Sequence, residues 1–177
     1  MNRKLKLEEL NRPNNEEFKS SKKNPVVIVL DNIRSFNNVG SIFRTADAFA
    51  IEQIILCGIT PAPPHRDIHK TALGATESVS WDYFKNTIDA VKKLKEEGYI
   101  IASIEQAENK VWLQDVNLKS TDKIALVFGH EVDGVEQEVI DRSDMVIEIP
   151  QYGTKHSINI SVCAGIVMWE VVKKYMN

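Results

Sequence analysis

Apolar positions along the chain gather into short continuous runs separated by stretches of mixed character. Residues 26–30 read VVIVL, five apolar and mostly β-branched positions with no polar interruption. A strand with one wet face alternates, whereas an uninterrupted run marks a strand covered on both faces, as in a parallel sheet. Comparable runs at 53–57, 99–104, 124–128 and 145–149 bring the predicted strands to five. Helical periods lie between them. Residues 39–50 put Ile42, Phe43, Ala46 and Phe49 on one face, and 86–97 sets Ile88, Val91 and Leu94 against lysines and glutamates before stopping at Gly98; 136–142 makes a further short helix. Strands alternating with helices predict an α/β fold, a mainly parallel sheet with helices on both faces, whose ligands bind beyond the carboxyl ends of the strands.

Two segments break these patterns. Residues 58–69 hold three prolines and two histidines and read as a long irregular loop, a length that in compact domains usually carries function. Residues 160–175 are apolar on nearly every face (Val162, Cys163, Ile166, Val167, Met168, Trp169, Val171, Val172), more than one amphipathic stripe explains. Such a helix is buried or lies in a subunit interface, so a homodimer is expected. It is joined to the last strand through Pro150, Gly153 and a polar loop ending in Ser157 and Asn159, both good at holding a helix N-terminus. The chemistry is expected in that loop.

Composition bounds this picture without changing the fold. The chain has 177 residues, 43% hydrophobic and 27% charged, which suits one domain with a sizeable core. Its net charge of −3 argues against a uniformly basic nucleic-acid binder, but the distribution is uneven. Residues 1–24 carry seven lysines or arginines against four glutamates, a basic arm on an acidic body spanning 25–177. Cys57 and Cys163 sit inside apolar runs and read as small buried hydrophobes in a reducing compartment. Four scattered histidines lack ligand spacing, so no metal is expected; nor is a membrane, because no run is long enough to span one. The expected compartment is the cytoplasm.

Three polar loops stand at predicted strand ends. In the first, NNVGSIFRTADAF (37–49), Asn38 reads as a helix cap, Gly40 as a point where backbone could approach a ligand, and Arg44 lies about two turns in. The second, LVFGHEVDGV (126–135), places two glycines around Glu131 but lacks the lysine and hydroxyl of a phosphate-binding P-loop. The third is IPQYGTKHSINISV (149–162). Each alone is compatible with a capped surface turn.

Taken in order, the three resemble the motifs of the SpoU (TrmH-type) ribose 2′-O-methyltransferases of the SPOUT superfamily, a likeness covering residues 25–175. The resemblance implies an S-adenosylmethionine-dependent RNA methyltransferase, a homodimer, and a C-terminal half threaded into a trefoil knot. It assigns catalysis to Arg44, Asn38, Glu131, Ser157 and Asn159, and cofactor binding to Phe128, Gly129, Glu131, Ile149, Ser157 and Ile158. Arg66, His69, Lys70, Lys155 and His156 are candidates for RNA phosphates. Ala50 stands where the family usually has glycine, and Ile158 where it has leucine. The segment EEGYIIASIEQA and the ending GIVMWEVVKKY are similar to tRNA D-loop guanosine 2′-O-methyltransferases, which points to tRNA rather than ribosomal RNA. Two other expectations compete: a non-catalytic dimeric RNA-binding module of the same fold, and a Rossmann-type nucleotide enzyme, against which stands the lack of a GxGxxG after the first strand.

Overall fold

A computed structural model of the chain describes residues 2–176. Among them the chain forms one seven-stranded sheet in the order β3-β2-β1-β6-β4-β7-β5, with every pairing parallel. The strands are β1 (Asn24–Asp31), β2 (Ile51–Cys57), β3 (Trp81–Phe84), β4 (Tyr99–Ile104), β5 (Val111–Trp112), β6 (Lys123–Phe128) and β7 (Met145–Glu148). The helices are α1 (Asn15–Ser20), α2 (Phe36–Ala48), α3 (Arg66–Ala72), α4 (Ala75–Ser78), α5 (Thr87–Glu96), α6 (Gln137–Arg142) and α7 (Ile160–Val172). All five predicted strands are present. The α/β expectation therefore holds.

Helices cover both faces. Val26, Ile28 and Leu30 of β1 join the core shared with α2, α3 and α7, while Val27 and Val29 join the core beneath α5 and α6. Each face of β1 is thus dry, the reason its sequence shows no polar alternation. At its carboxyl end Asp31 is fully buried yet satisfied: it accepts hydrogen bonds from the Thr87 hydroxyl, the Asn32 amide and the Glu136 backbone N–H. One carboxylate so ties the end of β1 to the starts of α5 and α6.

Several expectations are corrected. The segment 58–69 is not irregular throughout, because α3 begins at Arg66. The polar stretch before β1 contains α1, whose Phe18 packs against the core, with Lys23 stacked over its ring at 3.8 Å. Residues 36–38 are already helical, and Ser35 caps α2, its Oγ accepting from the Asn38 N–H at 3.3 Å; Asn38 lies inside the first turn. Gly40 faces α3. A Cβ there would lie 2.3 Å from the Ile68 carbonyl oxygen, so its bareness serves the close approach of α2 to α3. The last helix is half-covered: Val167, Met168, Val171 and Val172 are buried, while Val162, Ile166 and Trp169 are 53%, 40% and 48% exposed.

The departure at Ala50 has a conformational consequence. Ala50 ends α2 with φ of 47°, its N–H bonded to the Asp47 carbonyl and its own carbonyl accepting from Asn24 at the start of β1. A left-handed residue with a Cβ costs about 1–2 kcal/mol, offset on replacement by the extra freedom glycine has when unfolded, up to about 1 kcal/mol. Ala50→Gly should therefore raise the unfolding free energy by up to about 1 kcal/mol, measured as a higher urea midpoint at unchanged slope. A lower midpoint would show that the Ala50 methyl contributes packing worth more than the strain.

Candidate functional site

Beyond the carboxyl ends of β6, β4 and β7 the chain leaves a cleft of about 480 Å³. Three segments wall it: the loop after β4 (Glu105, Gln106), the loop after β6 (Gly129 to Gly134), and the connection from β7 into α7 (Ile149, His156, Ser157, Ile158, Asn159). Carboxylates dominate its charge. Glu105, Glu131, Asp133 and Glu148 line it, and among the described residues no lysine or arginine does. Lys110 stands 3.1 Å from the Glu148 carboxylate and partly offsets it.

The loop after β6 folds back on itself, with His130 and Gly134 exchanging both backbone hydrogen bonds at 2.9 Å. His130 Nδ1 accepts from the N–H groups of Val132 and Asp133, each at 3.2 Å, which tightens the tip. Gly134 sits at φ 73°, and a Cβ there would strike the Glu105 carboxylate. That contact is functional in shape: Glu105 Oε2 accepts the Val135 N–H at 3.0 Å, and Oε1 accepts the Gln106 N–H at 2.8 Å. Gln106 in turn donates from Nε2 to the His156 carbonyl at 2.7 Å. Glu105 and Gln106 thus brace the other two walls, and neither was singled out from the sequence. Their signal was available: two polar residues directly after a strand's carboxyl end, the place where parallel sheets bind ligands.

Glu131 points out of the loop toward α2. Its two oxygens accept the backbone N–H groups of Arg34 (3.0 Å) and Ser35 (3.1 Å), just ahead of the helix, and Oε1 also accepts from Asn38 Nδ2 at 3.4 Å. Asn38 Oδ1 accepts from Asn159 Nδ2 at 3.3 Å, while Asn159 Oδ1 caps α7 by accepting from Ser161 and Val162. One relay therefore joins the three motif loops. Burial pushes the Glu131 carboxyl up, but the bonds from Arg34, Ser35 and Asn38 outweigh it and leave its pKa below the ordinary glutamate value.

The predicted residues do not all meet. Gly129, Glu131, Ile149, His156, Ser157, Ile158 and Asn159 share the cleft, with Asn38 bonded at its edge. Phe128 is fully buried beneath and does not line it. Arg44 is exposed on α2 and lines a separate cavity of about 510 Å³ with Ser41, Thr45, Lys70 and Thr71. Arg66 and His69 line a third. Lys155 is exposed on the loop above the cleft. Cys163 packs against the core as expected and also borders the cleft, and burial with the nearby Glu105 pushes its thiol up to about 11. Among the described residues no cluster of three or more His, Cys, Asp or Glu could hold a metal ion, and no helix is long and apolar enough to cross a membrane.

Comparison with known proteins places the family and the fold. The model of the SpoU rRNA Methylase family matches residues 25–169. The 23S rRNA (guanosine-2′-O-)-methyltransferase RlmB of Neisseria meningitidis is 33% identical over 147 residues, covering 82% of this chain and 57% of that protein. The chain thus spans somewhat over half the length of such relatives. An AdoMet-bound rRNA methyltransferase from Sinorhizobium meliloti superposes with a TM-score of 0.81 at 25% identity, covering 88% of this chain and 59% of that one. A TrmH/SpoU tRNA modifying enzyme of A. aeolicus shares the fold, with a TM-score of 0.78 at 24% identity over 90% of this chain and 79% of that one.

The Glu131 pKa sets a pH dependence. A carboxyl depressed on folding contributes stability that is fully present above its unfolded value, about 4.3, and is lost as pH falls through the folded value. The wild type should therefore lose stability relative to Glu131→Gln as pH drops below about 5, with a constant difference from pH 6 to 8. Urea unfolding of both proteins across pH 3.5–8 measures it. A difference that does not vary with pH would mean the relay holds the protonated acid equally well.

Proposed function

The chain belongs to the SpoU rRNA Methylase family, and on that premise we propose that it is an S-adenosylmethionine-dependent RNA methyltransferase acting on a ribose 2′-hydroxyl. The observation that carries the reading is the charge of the cleft. A sulfonium and an ammonium suit a pocket lined by Glu105, Glu131, Asp133 and Glu148, whereas the phosphates of a dinucleotide do not. That separates this reading from a Rossmann-type enzyme. Backbone groups of Ile149, Ser157 and Ile158 would read the adenine edge, with Gly129 opening the space beside it. Bound there, the cofactor supplies an electrophilic methyl group.

The chain's own residues supply positioning and charge. Glu131 and Asn38 have their polar atoms committed to the relay, so their role is to hold the three loops in register rather than to touch the ribose. Ser157 is exposed on the cleft wall and free to reach the substrate. Arg44 makes no hydrogen bond or ion pair among the described residues and shares its cavity with Lys70, an arrangement suited to clamping an RNA phosphate. The clamp would lower the pKa of the neighbouring 2′-hydroxyl, whose proton passes to solvent water as its oxygen takes the methyl and the methyl–sulfur bond breaks; a guanidinium, always protonated, is a poor base. Residues 1–24, the basic arm, add phosphate contacts. We infer tRNA as the substrate from the likeness of EEGYIIASIEQA; ribosomal RNA is the second reading, favoured by the name of the meningococcal relative.

Two structural proposals accompany this. Val162, Ile166 and Trp169 recur at helical spacing on the open face of α7, with Phe49, the residue that closes α2, packed against Trp169 at 5.8 Å between ring centroids, and a second copy would cover them. The chain also lays β6 between β1 and β4 and β7 between β4 and β5, all formed earlier in sequence, which is the order a C-terminal segment threaded as a trefoil knot would leave. With its free cysteines the enzyme suits the cytoplasm.

Single-turnover methylation of unfractionated tRNA with labelled S-adenosylmethionine tests the mechanism. Arg44→Ala should cut the rate by about 100-fold or more while leaving cofactor affinity within about twofold, the scale of a lost transition-state charge. Partial rescue by Arg44→Lys supports clamping, and near-normal turnover in Arg44→Ala sinks the assignment. Light scattering at micromolar concentration should give twice the chain mass, and Trp169→Glu should give the single-chain mass. A wild-type monomer with full activity would remove the dimer.

A further inference from the structure

Helix α3 divides its residues between two cavities. Lys70 and Thr71 face the one that Arg44 lines, while Arg66, Ile68 and His69 line another of about 460 Å³, within the range of small-ligand sites, roughly 300–1,000 Å³. This second cavity shares no residue with the acidic cleft. Its walls are apolar (Pro63, Ile68 and Trp81) and include His65, whose Nδ1 caps α3; three further charged or titratable side chains, Arg66, His69 and Glu77, stand around them. Among the described residues none of those three makes a hydrogen bond or ion pair, although each is exposed and able to.

Trp81 is the unexplained member. It begins the edge strand β3 and is 37% exposed, its indole N–H without a partner among the described residues. Tyr83, two positions on, has a structural use, since its hydroxyl donates to the Gly58 carbonyl at 2.9 Å. Trp81 has no such use. A flat aromatic wall, a guanidinium, an imidazole and one free carboxylate form an unusual set. A purely apolar ligand would leave the charges idle, and a small anion would meet Glu77. An RNA base uses all of them: its face stacks on the indole, its flanking phosphates meet Arg66 and His69, and its edge offers donors to Glu77. Guanine is the base whose Watson–Crick edge presents two adjacent donors, N1–H and N2–H, to the two oxygens of a carboxylate.

We propose that this cavity takes an unpaired guanine of the RNA substrate, stacked on Trp81 and read by Glu77, at a nucleotide other than the one methylated. The inference rests on the RNA methyltransferase reading above. The cavity is tied to the catalytic loops through its wall and through α3: the His65 ring packs against Phe36 with centroids 4.0 Å apart, and on the other side of the helix the Thr71 hydroxyl donates to the Asn37 carbonyl at 3.0 Å. Both partners lie in the first turn of α2, beside Asn38. An occupied cavity therefore fixes how the RNA strand enters the site.

Steady-state methylation of unfractionated tRNA by the full chain is the first arm. Absence of any methylation by the wild type would overturn the function, not this site. Given wild-type activity, Trp81→Ala should raise KM for RNA by about tenfold or more, the scale of one lost stacking contact, with kcat and cofactor affinity within about twofold. Trp81→Phe should recover most of that loss, and Glu77→Gln should raise KM several-fold without altering the thermal midpoint. The second arm titrates a short single-stranded RNA bearing one guanine against the same RNA bearing inosine, which lacks the N2 amine. Wild type should prefer guanine and Glu77→Gln should not. The proposal is overturned if Trp81→Ala and Glu77→Gln both leave KM for RNA within twofold of wild type, or if guanine and inosine bind alike.

Discussion

A carboxylate held against the start of a helix organises this molecule. Glu131 binds the N–H groups of Arg34 and Ser35 at the positive end of α2 and reaches Asn38, which reaches Asn159 at the start of α7. The partners of Asn38 lie 93 and 121 residues away along the chain, so this short relay joins segments far apart in sequence. Favourable charge against the helix dipole and direct hydrogen bonds act at the same atoms. Through these bonds Glu131, Asn38 and Asn159 hold the walls of the cleft together.

The relay is effective because the elements it joins are otherwise rigid. α2 packs against β2 and α7 and meets α3 at a distance only Gly40 permits. Asp31 repeats the design one layer below, where a buried carboxylate satisfied by three donors locks the end of β1 to α5 and α6. Glu105 does the same for the loops after β4 and β6. Three carboxylates at the carboxyl ends of parallel strands thus hold backbone amides that the helices and strands leave unpaired.

Charge is partitioned by the same geometry. The acidic groups collect inside the cleft, where a cationic ligand belongs, while Arg44, Arg66, His69 and Lys70 stand along α2 and α3, where a phosphate backbone could run. A net negative chain can in this way serve a polyanion, because the distribution of charge over a few ångströms matters more than its sum once salt screens longer distances.

What the sequence determined by itself was whatever local burial dictates. The dry strands β1, β4 and β6 were legible because nearly every position, facing one core or the other, is buried and apolar. The polar loops at their ends were legible because apolar strands flanked them. β3 escaped notice because an exposed edge strand such as WDYF needs no apolar run, β5 because two residues make no pattern, and α1 and α3 because a single turn or two of polar helix has no period. Tertiary structure decided the rest. Ser35 and Asn38 are equally good caps in sequence, and Glu131, arriving from the end of β6, selects Ser35 by binding the amides beside it. Gly40 and Gly134 looked alike as open backbone, yet one accommodates a neighbouring helix and the other the Glu105 carboxylate. Strand order, and the separation of Arg44 from the acidic cleft, follow from long parallel crossovers, whose direction depends on which distant faces must be buried together rather than on any neighbouring residue.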